Sequence, residues 1–179
     1  MKRKYELKQR ADRQAETRLR IVEAAVDLHS RVGPANTSVA AVARRAGVQR
    51  HTVYAHFPDE ATLFRACSAH WREQHPFPEV SGLDLGQALS AVYGWYDRVE
   101  DAFALFARDS ELYPEVWAQR LQALSSLADR LAALVGRRKV VRAAVGHAVE
   151  FETWRSLVRR QGFSNAEAAA AMVAFVRSV

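Results

Sequence analysis

The stretch that most constrains this chain runs from Thr37 to Phe57, TSVAAVARRAGVQRHTVYAHF. Val39, Val42, Ala43 and Ala46 fall on one face at helical spacing. Thr37 or Ser38 stands where a helix start takes a hydroxyl cap, and Gly47 ends the helix. A second apolar face resumes with Val48, Val53 and Phe57, leaving Gln49, Arg50, His51, Thr52 and Tyr54 turned outward. Two short helices about a glycine turn are the layout of a helix-turn-helix, whose second helix lies in the DNA major groove. Such pairs also occur in proteins that never touch DNA, so the polar face has to carry the argument. Gln49 and Arg50 can pair bidentately with adenine and guanine edges, and Thr52, Tyr54 and His56 can donate to phosphate oxygens. Thr37, Ser38 and His51 complete the candidate DNA-contacting set. An ordinary solvated face would more often carry Glu and Lys.

Charge supports this reading once it is located. Residues 1–56 hold 12 Lys and Arg against 5 Asp and Glu, a balance of +7, whereas residues 57–179 hold 14 against 15, a balance of −1. Phosphate neutralisation predicts that split, and a uniformly solvated surface does not. The first ten residues, with Lys2, Arg3, Lys4, Lys8 and Arg10, read as a mobile basic arm that is either a solubilising tail or a groove- or phosphate-binding segment. Helix 1 is expected to begin by about residue 10 to 17 and to end at Gly33-Pro34, with Ile21, Ala25, Leu28 and Val32 as its stripe.

A chain of 179 residues with 49% hydrophobic content can bury a sizeable core. The single cysteine, Cys67, excludes an internal disulfide and a multi-cysteine zinc site. No apolar run approaches the ~20 residues of a membrane span, and the charged start leads into no signal-peptide core, so a cytoplasmic location is expected.

Beyond the helix pair, Pro58-Asp59 opens a fourth helix with Leu63, Phe64, Cys67, His70 and Trp71 on its apolar band, up to about Gln74. HPFPEVSG, residues 75–82, is a break. Asp84 with Gln87 resembles a capping box and opens a largely buried helix through Tyr96, followed by a short one from about Val99 to Arg108. Pro114 fits the first turn of a helix that ends near Gly136. The last two helices, about 140–161 and 165–177, are parted by Gly162, with Ser164 and Glu167 as a second capping box. The former carries two apolar faces, so it needs a partner besides its own core, and a symmetric copy is the simplest one. Val141, Val145, Val149, Met172, Phe175 and Val176 are the expected dimer residues.

No enzyme constellation is present. Asp97, Glu100 and Asp101 lack a second acidic cluster and read as solvated or capping groups. The pairs His51/His56 and His70/His75 are five apart, where metal ligation wants three or four. No glycine-rich phosphate loop, nucleophile elbow or paired-cysteine motif occurs, and no cofactor or metal is expected.

The segment AAVDLHSRVGPANTSVAAVARRAGV, followed by TVYAHF, an acidic cap and Leu63-Phe64, resembles the DNA-binding domain of TetR-family bacterial transcriptional regulators over about residues 17–64. Two positions depart from the pattern: Gln49 stands where Ser or Thr often starts the recognition helix, and Glu60 where Lys or Arg often follows the acidic cap. The resemblance implies an all-α protein of about nine helices. Residues 1–58 would form the helix-turn-helix domain, including the basic arm at 1–10, and residues 59–179 a helical ligand-binding and dimerisation domain. It further implies a homodimeric, ligand-responsive regulator, most often a repressor, on a near-palindromic double-stranded operator. Alternatives are an activator, a regulator without a ligand, or an all-helical enzyme. The implied pocket would take its lining from Tyr93, Tyr96, Phe103, Phe106, Trp117, Leu121, His147, Phe151 and Trp154. Such a wall is aromatic and almost uncharged, which suits an apolar or aromatic effector.

Overall fold

The computed structural model describes residues Lys2–Val179; for Lys2, Arg3, Lys4 and Glu6 it describes the backbone alone. The expected contacts of the Lys2, Arg3 and Lys4 side chains therefore lie outside the described residues. Among the described residues the regular elements are helices: α1 (Lys2–Val32), α2 (Val39–Ala46), α3 (Arg50–His56), α4 (Glu60–Gln74), α5 (Leu85–Arg108), α6 (Pro114–Val135), α7 (Lys139–Ala148), α8 (Phe151–Arg155) and α9 (Asn165–Ser178). The chain divides into two compact units. One comprises residues 1–76 and 101–113, the other residues 77–100 and 114–179, so the division differs from the expected boundary at 58/59.

In the first unit α1 packs on α2 and α4, and α2 on α3. Ile21, Ala25, Val42, Val53, Phe57 and Cys67 are almost wholly removed from water and form its centre, while Val32, expected in the stripe, is exposed. Segment 101–113 completes this core. Phe106 meets Phe64 and Trp71 edge-on at 6.5 and 5.5 Å, and Tyr113 stacks on Phe64 at 3.8 Å. Its Arg108 and Asp109 hold the turn after α1. Arg108 donates to Val32 O (3.1 Å) and pairs with Asp109, whose Oδ2 accepts the Ala35 N–H at 2.9 Å. Gly33 makes this approach possible. Its φ of +86° is the left-handed region, and a Cβ there would meet the Arg108 guanidinium and the Asp109 carboxylate.

In the second unit α7 packs on α6, α8 and α9. Leu89, Val92, Tyr93, Tyr96, Leu131, Val145, Val149 and Trp154 make up most of the core. Both expected capping boxes form: Asp84 and Gln87 exchange hydrogen bonds at 3.0 and 2.8 Å, and Ser164 and Glu167 do so at 2.8 and 3.2 Å.

Two expected helix boundaries are corrected. α5 is one helix from Leu85 to Arg108, because nothing between Tyr96 and Val99 is a breaker and Asp97 and Arg98 continue the ladder. Conversely, 140–161 is not one helix. α7 stops at Ala148, α8 follows, and the chain widens into a π-helical turn over Ser156–Arg160. The Tyr93 and Tyr96 hydroxyls donate to Ala148 O (2.7 Å) and Val149 O (2.8 Å) from α5, satisfying carbonyls that the end of α7 would leave bare. A third correction concerns the N-terminus, where α1 is helical from Lys2 rather than from residue 10 to 17.

Candidate nucleic-acid interface

The interface is built by α2, its turn and α3. Ser38, not Thr37, caps α2: its Oγ accepts the Ala41 N–H at 3.2 Å, which leaves its own O–H available to a phosphate. Thr37 instead donates to Gly33 O at 2.8 Å, so its hydroxyl hydrogen is already used. α2 ends at Gly47 with φ 67° and ψ 36°, a left-handed cap that a side chain would strain. The chain then re-enters α3 with Val53 and Phe57 buried beneath it.

Gln49 is the N-cap of α3 and makes no side-chain capping bond, in keeping with its poor capping chemistry. Its amide is exposed together with Arg50, His51 and Tyr54, while Thr52 and His56 are half-buried along the same short helix. Residues 37–56 contain Arg44, Arg45 and Arg50 and no carboxylate. Arg45 is engaged away from this face, since its Nε donates to Asp27 at 2.8 Å; that bond, with Arg31 on the other oxygen, holds the Asp27 carboxyl below its usual range. Arg44 is exposed on α2, a cation that the emphasis on α3 passed over. An exposed amide, a guanidinium and hydroxyls gathered on one short helix can hydrogen-bond base edges and phosphates.

Residues 21–67 match the model of the family described as bacterial regulatory proteins, tetR family. Over these residues the chain is similar to that family. The match covers the described interface from the buried part of α1 to Cys67. The structure is also similar to the crystal structure of a protein of Shewanella sp. PV-4 described as a tetR family transcription regulator. That chain has a TM-score of 0.58 and 22% identity, over 90% of this chain and 96% of that one, a likeness of fold. No relative was found among curated proteins. Asp97 and Glu100 are held by Arg159 at 2.6 Å each. Among the described residues no His, Cys, Asp and Glu cluster could hold a metal, and no helix is long and apolar enough to cross a membrane.

The nine side chains expected around a ligand are not brought together as one wall. Tyr96, Phe151 and Trp154 pack on one another at 5.3 to 5.7 Å and are buried, as is Tyr93, and both phenol groups are spent on the end of α7. Phe103 and Phe106 belong to the first unit. Trp117 is half-buried beside the Arg120 guanidinium (5.6 Å), and Leu121 is exposed. His147 is exposed on α7 next to Phe175 (6.4 Å) and Thr153 (3.3 Å) rather than among those rings.

The expected dimer residues divide as well. Val141, Val145, Val149 and Val176 are spent in the protomer's own core, Met172 is half-buried and Phe175 is exposed. The periodicity of α7 marked its buried face, and the exposed one carries Val140, Arg142, Ala143 and His147.

In the first unit, His29 and Cys67 form a buried pair (Nδ1 to Sγ, 3.2 Å) that sequence reading had not joined. Burial pulls the imidazole down to about 4, against the opposing pull of Asp109, and pushes the thiol up to about 12. Both are neutral at pH 7, so Cys67 is structural rather than reactive.

Proposed function

We propose that this regulator is a homodimeric repressor that reads a near-palindromic operator with Gln49 and Arg50 and is released by an apolar or aromatic effector. The observation that carries the reading is the exposed, carboxylate-free face of α3, anchored on Val53 and Phe57. Ser38, His51, Thr52, Tyr54 and His56 hold phosphates around it. One helix of seven residues makes few base contacts, so two copies on one duplex supply the specificity. α7 and α9 pair the copies through exposed Val140, Ala143, His147 and Phe175. Effector control rests on the aromatic content of the second unit, with half-buried Trp117 and exposed Leu121 as its most accessible members. Release needs only that the effector prefer the non-binding state by ~1 to 3 kcal/mol.

Selection from a random duplex pool tests this. The expected product is a pair of inverted half-sites with centres about one helical turn apart or slightly more. Arg50→Ala should lose ~1 to 3 kcal/mol on that duplex and relax preference at one position of each half-site, while Tyr54→Phe should weaken all duplexes alike. Equal loss on selected and random DNA for Arg50→Ala removes the base-reading role. The same duplex, titrated with aromatic and apolar compounds, tests release.

A further inference from the structure

Helix α1 has 31 residues, yet its burial begins only at Ile21. From Leu7 to Arg20 every side chain is exposed except Thr17, which is half-buried. A helix that buries no face over some four turns gains nothing there from packing, and an isolated helix of that length is marginal in water. Lys8 and Asp12, and Glu16 and Arg20, stand at i,i+4 spacing, and the helix continues out of the packed part.

The sequence along one side of α1 changes character where the domain ends. Ile21, Ala24 and Leu28 lie on the side turned to the domain, and counting back from them by threes and fours gives Thr17, Arg13 and Arg10. Asp12 and Glu16 lie on the other side, with Lys8 and Leu19. The face that is apolar against the domain is thus basic at Arg13 and Arg10. Its place relative to the recognition helix is fixed by Arg18, whose guanidinium lies over the Phe57 ring at 4.7 Å, and Phe57 is the C-cap of α3. From that anchor α1 runs on for the 16 residues back to Lys2, about 24 Å at 1.5 Å per residue.

We propose that this extension is a second DNA-contacting element, in which Arg10 and Arg13 lie along phosphates flanking the half-site that α3 reads. The proposal rests on the DNA-binding reading above. Double-stranded DNA is the occupant that charge selects, because the stripe adds to a helix pair, residues 37–56, that exposes Arg44 and Arg50 and carries no carboxylate. A membrane surface would need a continuous apolar face opposite the arginines, and that side carries Lys8, Asp12 and Glu16 instead.

The test uses the full chain as wild type and as the Arg10→Gln/Arg13→Gln double variant, glutamine being nearly as good a helix former as arginine. Affinity for the selected duplex with long flanks and for a random duplex is followed from 50 to 200 mM salt, alongside dimer mass and binding to anionic phosphatidylserine vesicles. Each lost phosphate contact removes about 0.9 from the slope of log affinity against log salt. The variant's slope should therefore be shallower by about 1.8 per protomer, so that raising the salt fourfold costs it about tenfold less affinity per protomer than wild type. The change should be the same on both duplexes and vanish when the flanks are trimmed to the half-sites. An unchanged slope overturns the proposal, as does a change confined to dimer mass or to vesicle binding. If wild type binds no duplex selectively, the DNA-binding reading itself falls; if it binds and the variant's slope is unaltered, only the extension's role falls.

Discussion

His29 should make the first unit acid-sensitive. Its ring is buried against Phe64 (5.6 Å) and Cys67, and burial lowers its pKa from 6.5 to about 4. The unfolded chain takes up a proton below pH 6.5 that the folded chain refuses until about pH 4. The unfolded state binds more protons in that window, so stability is full above pH 6.5, falls as pH drops, and levels off below pH 4. The whole loss is about 3 kcal/mol, of which about 2 kcal/mol is reached by pH 5. Cys67 is the chain's single cysteine, is 2% exposed and touches His29, so its protection from a pyridyl disulfide reports the opening of this core. Protection is taken relative to the urea-unfolded chain at the same pH, which cancels the thiol's own chemistry. Between pH 7.5 and 5, wild type should lose about thirtyfold more protection than His29→Gln, the equivalent of 2 kcal/mol. Asp27 and Asp109, both held below the usual carboxylate range by their arginine partners, stay ionised across this window. The His29→Gln chain will start less stable, but the comparison is of slopes. If the two slopes coincide, the imidazole is already protonated or solvated in the native state and the argument fails.

Gly33→Ala should destabilise the first unit by about 2 kcal/mol or more, since the residue sits at positive φ with Arg108 and Asp109 against the place a Cβ would take; Cys67 protection at pH 7.5 should fall by at least tenfold. Tyr96→Phe leaves Val149 O buried without its donor and should cost about 1 to 3 kcal/mol in urea unfolding of the second unit, while affinity for the selected duplex stays within twofold.

Where one side chain decides local structure, the sequence reading carried through. Asp59, Asp84 and Ser164 cap α4, α5 and α9 as their chemistry requires, because a cap is settled within four residues. The break after Ala148 had no such signal. Residues 140–161 keep helical periodicity across it, and the hydroxyls that take up the free carbonyls come from Tyr93 and Tyr96, 55 and 53 residues away. α5 was cut in two for the opposite reason, since a run of charged residues imitates a helix end when its partner is out of view. That partner, Arg159, is 62 residues from Asp97.

The polar face of α3 was legible because an exposed amide, a guanidinium and hydroxyls stand on an otherwise small, apolar motif, a conflict visible in the residues themselves. The second unit offers no such conflict. A buried tyrosine reads the same whether its hydroxyl caps a helix or faces a ligand, and a valine stripe the same whether it meets its own core or a second protomer. Periodicity identifies which side of α7 is apolar, and the protomer's core claims that side first. The side left over exposes Val140 and His147, and α9 exposes Phe175, whereas Val141, Val145 and Val149 are buried in the protomer. The same reasoning applies to α1. Ile21 and Ala25 of its expected stripe are core and Val32 is exposed, while Arg10 and Arg13 continue the buried face where the helix outruns the domain it packs on.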